Sequence, residues 1–253
     1  MEIDLNCDMG ERSGSCLTAH DLSLFPYLTS CNISCGAHGG DPLYIENTLK
    51  KALEYTLQIG AHPSYPDRQG FGRQKIVMEP VALKAAIKYQ LAALMGLTES
   101  LGGTLAYVKP HGALYNEIAK DEKEAVTVIE AIKAIEPRLA LVGLAGSPLA
   151  QLAARYGLRF IPEAFADRAY RSDGQLLPRS EKNAVFTNPQ HAAEQALSIV
   201  LRQEVKTISG DYIPITARSI CIHGDNPAAL AILKALDVQL EAHGISKRKF
   251  SVL

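Results

Sequence analysis

Residues 104–116 read TLAYVKPHGALYN. The β-prone run 104–108 ends in Lys109, Pro110, His111 and Gly112, and helix-forming residues follow. This is a strand feeding a helix, with reactive side chains gathered at the strand's carboxyl end. The unit recurs along the chain. Short runs at 3–7, 31–34, 57–61, 139–142, 159–162 and 219–223 alternate with helical stretches, and most are apolar, as strands covered on both faces are. Asp8 and Glu11 follow the first run, His38 and Asp41 the second, and His62 the third. Lys109 and His111 follow the fourth, Glu163, Asp167 and Arg168 the sixth, and His223 and Asp225 the last. An open doubly wound sheet concentrates its site at one switch point. Groups after all but one of the strands converge only if the sheet closes, with the loops beyond the strand carboxyl ends forming the site. The expected fold is α/β: a single parallel seven-stranded β/α barrel, TIM-like, forming one domain over 1–253.

The helices carry start signals. Asp41-Pro42, Ser147-Pro148, Asn188-Pro189 and Asn226-Pro227 each place a capping side chain before a proline. The cap accepts from an orphan N–H, and proline lacks the N–H that would be orphaned. Asp121 with Glu124 has the spacing of a capping box. Leu83, Ile87, Leu91, Leu94 and Leu101 share one helix face. Gly157 and Gly244 stand where carboxyl caps belong. Two stretches break the alternation: 170–187, with Ser172-Asp173-Gly174, and 205–216, with Ser209-Gly210-Asp211. Both read as short hairpins added to the barrel.

The 253 residues carry 26 basic and 27 acidic side chains, a net charge of −1, so no positive field gathers nucleic acid or anionic lipid. A hydrophobic fraction of 47% and a charged fraction of 21% exclude a disordered or coiled-coil chain. The five cysteines (Cys7, Cys16, Cys31, Cys35, Cys221) are odd in number and lack CxxC spacing, which argues against a disulfide framework and for a reducing compartment. The opening MEIDLNCDMGE shows neither a basic n-region nor an apolar h-region, and no run approaches a membrane span. The expectation is a cytoplasmic protein without membrane or nucleic-acid partners.

Seven histidines fall into two sets. His20, His191 and His243 lie in helix-like or capping contexts and read as surface or structural. His38, His62, His111 and His223 stand at four strand ends, each beside glycine or proline. Singly, each fits a satisfied core residue; four at equivalent places argue for a site. Asp8, Glu11, Glu163, Asp167 and Asp225 fit acids, bases, metal ligands or partners of arginines, and an Asp167–Arg168 pair fits a structural role equally well. Lys109 suits polarising a carbonyl or neutralising an anion, with a snorkelling lysine as the alternative. No GxxxxGK[ST] loop and no GxSxG elbow occurs, and Gly70-Phe71-Gly72-Arg73 lacks the third glycine and preceding strand of a dinucleotide fingerprint. The inventory favours general acid–base or metal-assisted hydrolysis over covalent catalysis.

Seven segments carry a resemblance: DLNCDMGE, NISCGAHGGDP, GAHPSYPDRQGFGR, VKPHGALYN, PEAFADRAY, LLPRS and CIHGDNP. Together, and in this order, they resemble the LamB/YcsF family of 5-oxoprolinase A subunits over nearly the whole chain. Gly39 is the mild departure, since alanine is the more frequent family residue there. The resemblance implies a barrel similar to the polysaccharide-deacetylase type. It also implies ATP-dependent hydrolysis of 5-oxo-L-proline to L-glutamate, with ATP as co-substrate carrying Mg2+ and with subunits B and C as partners. On these motifs the catalytic candidates are Asp8, His38, His62, Lys109, His111 and Glu163. The substrate-binding candidates are Asp167, Arg168, Arg179, His223 and Asp225. Two rivals share the barrel: a metal-dependent deacetylase or amidohydrolase, with Asp8, His62 and His111 around the ion, and a non-catalytic substrate-binding subunit.

Overall fold

The computed structural model describes residues 1–251. Seven parallel strands close on themselves: β1 (Glu2–Met9), β2 (Ser30–Ser34), β3 (Gln58–His62), β4 (Leu105–Val108), β5 (Ala140–Leu144), β6 (Phe160–Phe165) and, after the hairpin described below, β9 (Ser219–Ile222). They pair in chain order, and β9 returns to β1 with Asp4 opposite Ser219 and Cys7 opposite Ile222. The sheet thus has the closed parallel form expected. Helices α1 (Ala19–Leu24), α2 (Pro42–Glu54), α3 (Pro80–Ser100), α4 (Gly112–Ile118), α5 (Glu122–Ile135), α6 (Leu149–Arg155), α7 (Pro189–Leu197) and α8 (Ala229–Ala242) complete the fold. No helix among the described residues is long and apolar enough to cross a membrane.

The cap signals divide by where the hydroxyl or amide is needed. Asp41, Asp121 and Asn188 accept from the backbone N–H groups of Tyr44, Glu124 and Gln190, as capping residues do. Ser147 instead donates its hydroxyl to the Leu144 carbonyl, and α6 begins without a side-chain cap. Asn226, three residues before α8, accepts from Ala228 N, while its amide nitrogen is bound to Asp167. Glu124 accepts from the Tyr65 hydroxyl, so only half of a capping box forms.

Of the two additions, 205–216 is a hairpin, with β7 (Glu204–Lys206) antiparallel to β8 (Tyr212–Pro214). Segment 170–187 has no ladder. Its isolated antiparallel bridges, Tyr170 with Leu176 and Arg168 with Val185, tie down a loop rather than a hairpin.

The strands are not apolar on both faces. Along β1, Ile3, Leu5, Cys7 and Met9 face the helices, while Asp4, Asn6 and Asp8 face the lumen, because successive side chains alternate across a strand. Lateral register continues that polar face as Ser30, Asn32 and Ser34 on β2, His62 on β3 and Ser219 on β9. Asn6 on β1 donates to Glu163 on β6 at 2.8 Å, and Tyr107 on β4 donates to Asn32 on β2 at 2.7 Å, so these bonds cross the lumen. Tyr107 lies over Gly60, where a β-carbon would stand 2.1 Å from its ring. At the strands' amino ends, β10 (Ser246–Lys247) adds beside the start of β1. Phe250 then packs edge-on against Tyr107, among Ala140, Val142 and Ile161.

Asp4, buried at the foot of β1, accepts from the hydroxyls of Thr29, Ser30 and Ser219. Burial raises its carboxyl from 3.8 to about 6 against those bonds. A folded-state value above the unfolded one favours the fold below the unfolded value, and that contribution is lost as pH rises through the folded one. The shift is worth about 3 kcal/mol. Asp4→Asn should therefore gain stability relative to the parent by up to about 3 kcal/mol between pH 4 and pH 7. Thermal melts of both proteins across that range check it; a difference independent of pH would contradict it.

Candidate active site

Lys109 sits just past β4 and is 2% exposed. Its ammonium lies 2.9 Å from Glu163 Oε1, 3.3 Å from Asp8 Oδ1, 3.2 Å from Asn6 Oδ1 and 2.9 Å from Cys221 Sγ. Burial works against its charge. Asp8, Cys221 and Glu163 outweigh it and hold the ammonium well above its ordinary value. Asp8 is held well below the carboxylate range: burial opposes ionisation, but His62 and Lys109 prevail. The floor of the barrel mouth therefore holds a fixed cation between two acidic side chains. The Tyr115 hydroxyl and Glu163 Oε2, both buried, have no hydrogen-bond partner among the described residues.

Beside this node, three histidines surround Glu11. Its Oε1 lies 3.1 Å from His38 Nε2, 3.3 Å from His111 Nδ1 and 3.8 Å from His62 Nε2, and the latter two nitrogens are 2.9 Å apart. His38 and His111 stack at 3.7 Å. Burial first, then His111, pushes His38 down to about 4. Against burial, Asp8 and then Glu11 raise His62. Glycine at 39 lets its loop close over Glu11: a β-carbon there would stand 2.6 Å from the Glu11 carbonyl oxygen, and Gly40 N donates to that same oxygen at 2.8 Å. Asp8 Oδ2 approaches His62 Nε2 at 3.4 Å, but its other oxygen is bound by Asn32 and Lys109. The compact set of donor atoms is thus Glu11, His38, His62 and His111.

The opposite wall is built on β6 and β9. Asp167 accepts from His223 Nδ1 at 2.8 Å and from Asn226 at 2.9 Å. Burial lowers His223 below its usual value despite Asp167, so the ring is neutral at neutral pH. Its Nδ1–H faces the carboxylate, which leaves Nε2 as the lone-pair nitrogen. Asp167 does not pair with Arg168, whose guanidinium donates to the carbonyls of Leu177 and Ala184 and anchors the 170–187 loop. Burial lowers Arg168 to about 10, so it keeps its charge. Arg179 reaches Asp225 at 2.9 Å, and Arg73 binds the same carboxylate.

These walls enclose a cavity of about 540 Å3 lined by Asp8, His62, Lys109, His111, Arg168, Arg179 and His223. His38 stands behind His111, and Asp167 behind His223. Asp225 borders a smaller cavity of about 230 Å3, together with Glu11 and Arg12. Arg171 and Gln175 bring the 170–187 loop into the main cavity wall. The barrel thus gathers the catalytic and binding candidates around one mouth, while His191 on α7 and His243 just past the end of α8 stay exposed. His20 is tied to the Gly224 carbonyl at 2.8 Å. The set of candidates omitted Asn6, Asn32, Cys221 and Tyr115. The alternation Asp4, Asn6, Asp8 was the available signal, since three polar residues at period two mark a strand face that is not apolar. Cys221 and Cys35 are not activated thiols. Burial keeps Cys221 well above its ordinary value and pushes Cys35 to about 12.

Residues 3–253 match the family model described as LamB/YcsF family. The chain is 46% identical over 250 residues to the 5-oxoprolinase A subunit of Acinetobacter baylyi, covering 99% of this chain and 98% of that protein. Among solved structures, a "Lactam Utilization Protein" from Thermus thermophilus is 39% identical with a TM-score of 0.91, covering 99% of this chain and all of the other. A putative cellobiose-phosphate cleavage protein from Enterococcus faecalis shares the fold at a TM-score of 0.60 and 13% identity over 98% of this chain and 97% of that one. With the motif residues in place around one barrel mouth and the match spanning the chain, this protein belongs to the LamB/YcsF family.

Proposed function

We propose that the chain is the A subunit of a 5-oxoprolinase. It opens the lactam of 5-oxo-L-proline to L-glutamate, with ATP, brought as its Mg2+ complex, going to ADP and phosphate, and it works with subunits B and C. The observation that carries the reading is the buried Lys109 ammonium at the floor of a cavity whose opposite wall presents a neutral, Asp167-oriented His223 and the cations Arg168 and Arg179. Names borne by the relatives support the lactam as substrate class.

Each group has a task in that reaction. Arg179 or Arg168 receives the substrate carboxylate, which a guanidinium fork suits. Lys109 faces the carbonyl oxygen and stabilises the negative charge that develops there. His223 Nε2 takes a proton from water as its oxygen bonds to the carbonyl carbon. The carbon–nitrogen bond then breaks, and the leaving nitrogen takes up the proton that His223 took from water. The freed amine remains tethered to the new carboxyl group. Effective molarities of about 10⁵–10⁸ M favour reclosure in such systems, which is why coupling to ATP is needed.

The chain alone should therefore be inactive. The co-purified complex with B and C should release glutamate and ADP in equal amounts from 5-oxoproline and ATP. Turnover by the isolated chain, or glutamate release by the complex without ADP, would overturn the reading.

A further inference from the structure

We propose that Glu11, His38, His62 and His111 form a binding site for one first-row divalent transition ion, of which zinc is the best match. The site rests on hydrogen-bond geometry and not on the lactam reading. Each imidazole gives its outer nitrogen to an oxygen that must accept. His62 Nδ1 lies 2.7 Å from the Lys109 carbonyl, and His111 Nε2 lies 2.9 Å from the Phe71 carbonyl. His38 Nδ1 lies 3.0 Å from Ser64 Oγ, whose own proton goes to the Tyr65 carbonyl at 2.8 Å. A carbonyl has no proton to offer, and Ser64 has already used its own. All three outer nitrogens therefore carry the ring N–H.

Once any proton held between them is displaced, the three inner nitrogens offer lone pairs, and they converge on a carboxylate oxygen. His62 Nε2 and His111 Nδ1 are 2.9 Å apart, and His38 Nε2 is 3.1 Å from Glu11 Oε1. One shared proton can bridge only one of these pairs. A metal ion satisfies all four donors together. The three distances to Glu11 Oε1 and the His62–His111 distance, 2.9 to 3.8 Å, bracket the spacing of about 3.4 Å between ligands of a tetrahedral ion with bonds near 2.05 Å, and all four donor atoms lie within 4.8 Å of one another. The outer bonds are the kind that orient and strengthen ligating histidines. Three imidazoles and one carboxylate suit a borderline ion over magnesium or calcium. His38 and His111 stack parallel, so binding requires their rings to tilt apart, a rotation about a soft torsion.

A second cluster, Asp8, Cys221 and His223, is close by, but it already holds a cation. The Lys109 ammonium lies 3.3 Å from Asp8 and 2.9 Å from Cys221. Among the described residues, the histidine cluster has no lysine or arginine as a hydrogen-bond partner.

The test is metal binding by the whole chain, read without any activity. Elemental analysis should find one zinc per chain after equilibration with zinc and gel filtration, and Co2+ should give the intense visible bands of a tetrahedral ion. His38→Ala should abolish tight binding. Ser64→Ala, which removes only the acceptor for His38 Nδ1, should weaken it about 10–100-fold. His223→Ala, in the neighbouring cluster, should leave it unchanged. A folded parent chain that retains no zinc, nickel, cobalt, iron or manganese would overturn the proposal, as would a bound ion lost in His223→Ala and kept in His38→Ala.

Discussion

Lys109→Met in the assembled three-subunit enzyme should lower kcat for 5-oxoproline by about 10²–10³-fold, the usual cost of removing one preorganised donor at a developing oxyanion. The same change leaves Asp8 and Glu163 facing each other without their cation. Breaking a buried ion pair costs about 3–5 kcal/mol, so the melting temperature should drop as well. Lys109→Arg separates the two effects. It keeps the charge, but a planar fork cannot occupy the point between Asp8, Glu163 and Cys221 that the compact ammonium fills. Stability should return in part while kcat stays low. Steady-state kinetics and melts of both variants read this directly. Wild-type kcat in the Arg variant would show that Lys109 supplies only diffuse charge.

His223→Ala should lower kcat/KM by about 10²–10⁴-fold, the range for loss of a positioned acid–base group. The parent enzyme gives the sign of the pH effect. Burial lowers His223 below its ordinary 6.5, so the ring is the working base at neutral pH and is extinguished only as pH falls through the lowered value. The acid limb of kcat/KM should thus lie below 6.5 in the parent. Asp167→Asn leaves the ring in place but removes the acceptor that selects its tautomer, so it should lose most of the rate too. An acid limb unchanged in shape in a slow His223→Ala enzyme would assign the base to another group.

The recurrence of strand, reactive residue and helix start was legible because each part is local. A strand shows in a few β-prone residues, a cap in a two-residue signal, and a glycine or proline in the turn. The 205–216 hairpin was legible for the same reason, with Ser209-Gly210-Asp211 at its tip. The 170–187 segment carries an equally good turn, yet it forms no ladder. Arg168 holds its backbone instead, donating to the carbonyls of Leu177 and Ala184, and no local pattern links those residues.

The sequence by itself determined that seven strands follow one another with polar chemistry at their ends, and so determined which residues could meet. Only the tertiary structure decided how they meet. Asp167 takes His223 rather than the adjacent Arg168, and Glu11 rather than Asp8 stands among the three histidines. Lys109 shares its charge with residues from β1, β6 and β9. The reason is closure. A strand's alternation sets which face a side chain takes. Its neighbours across a lumen depend on the stagger of six other strands, and no single stretch of sequence encodes that.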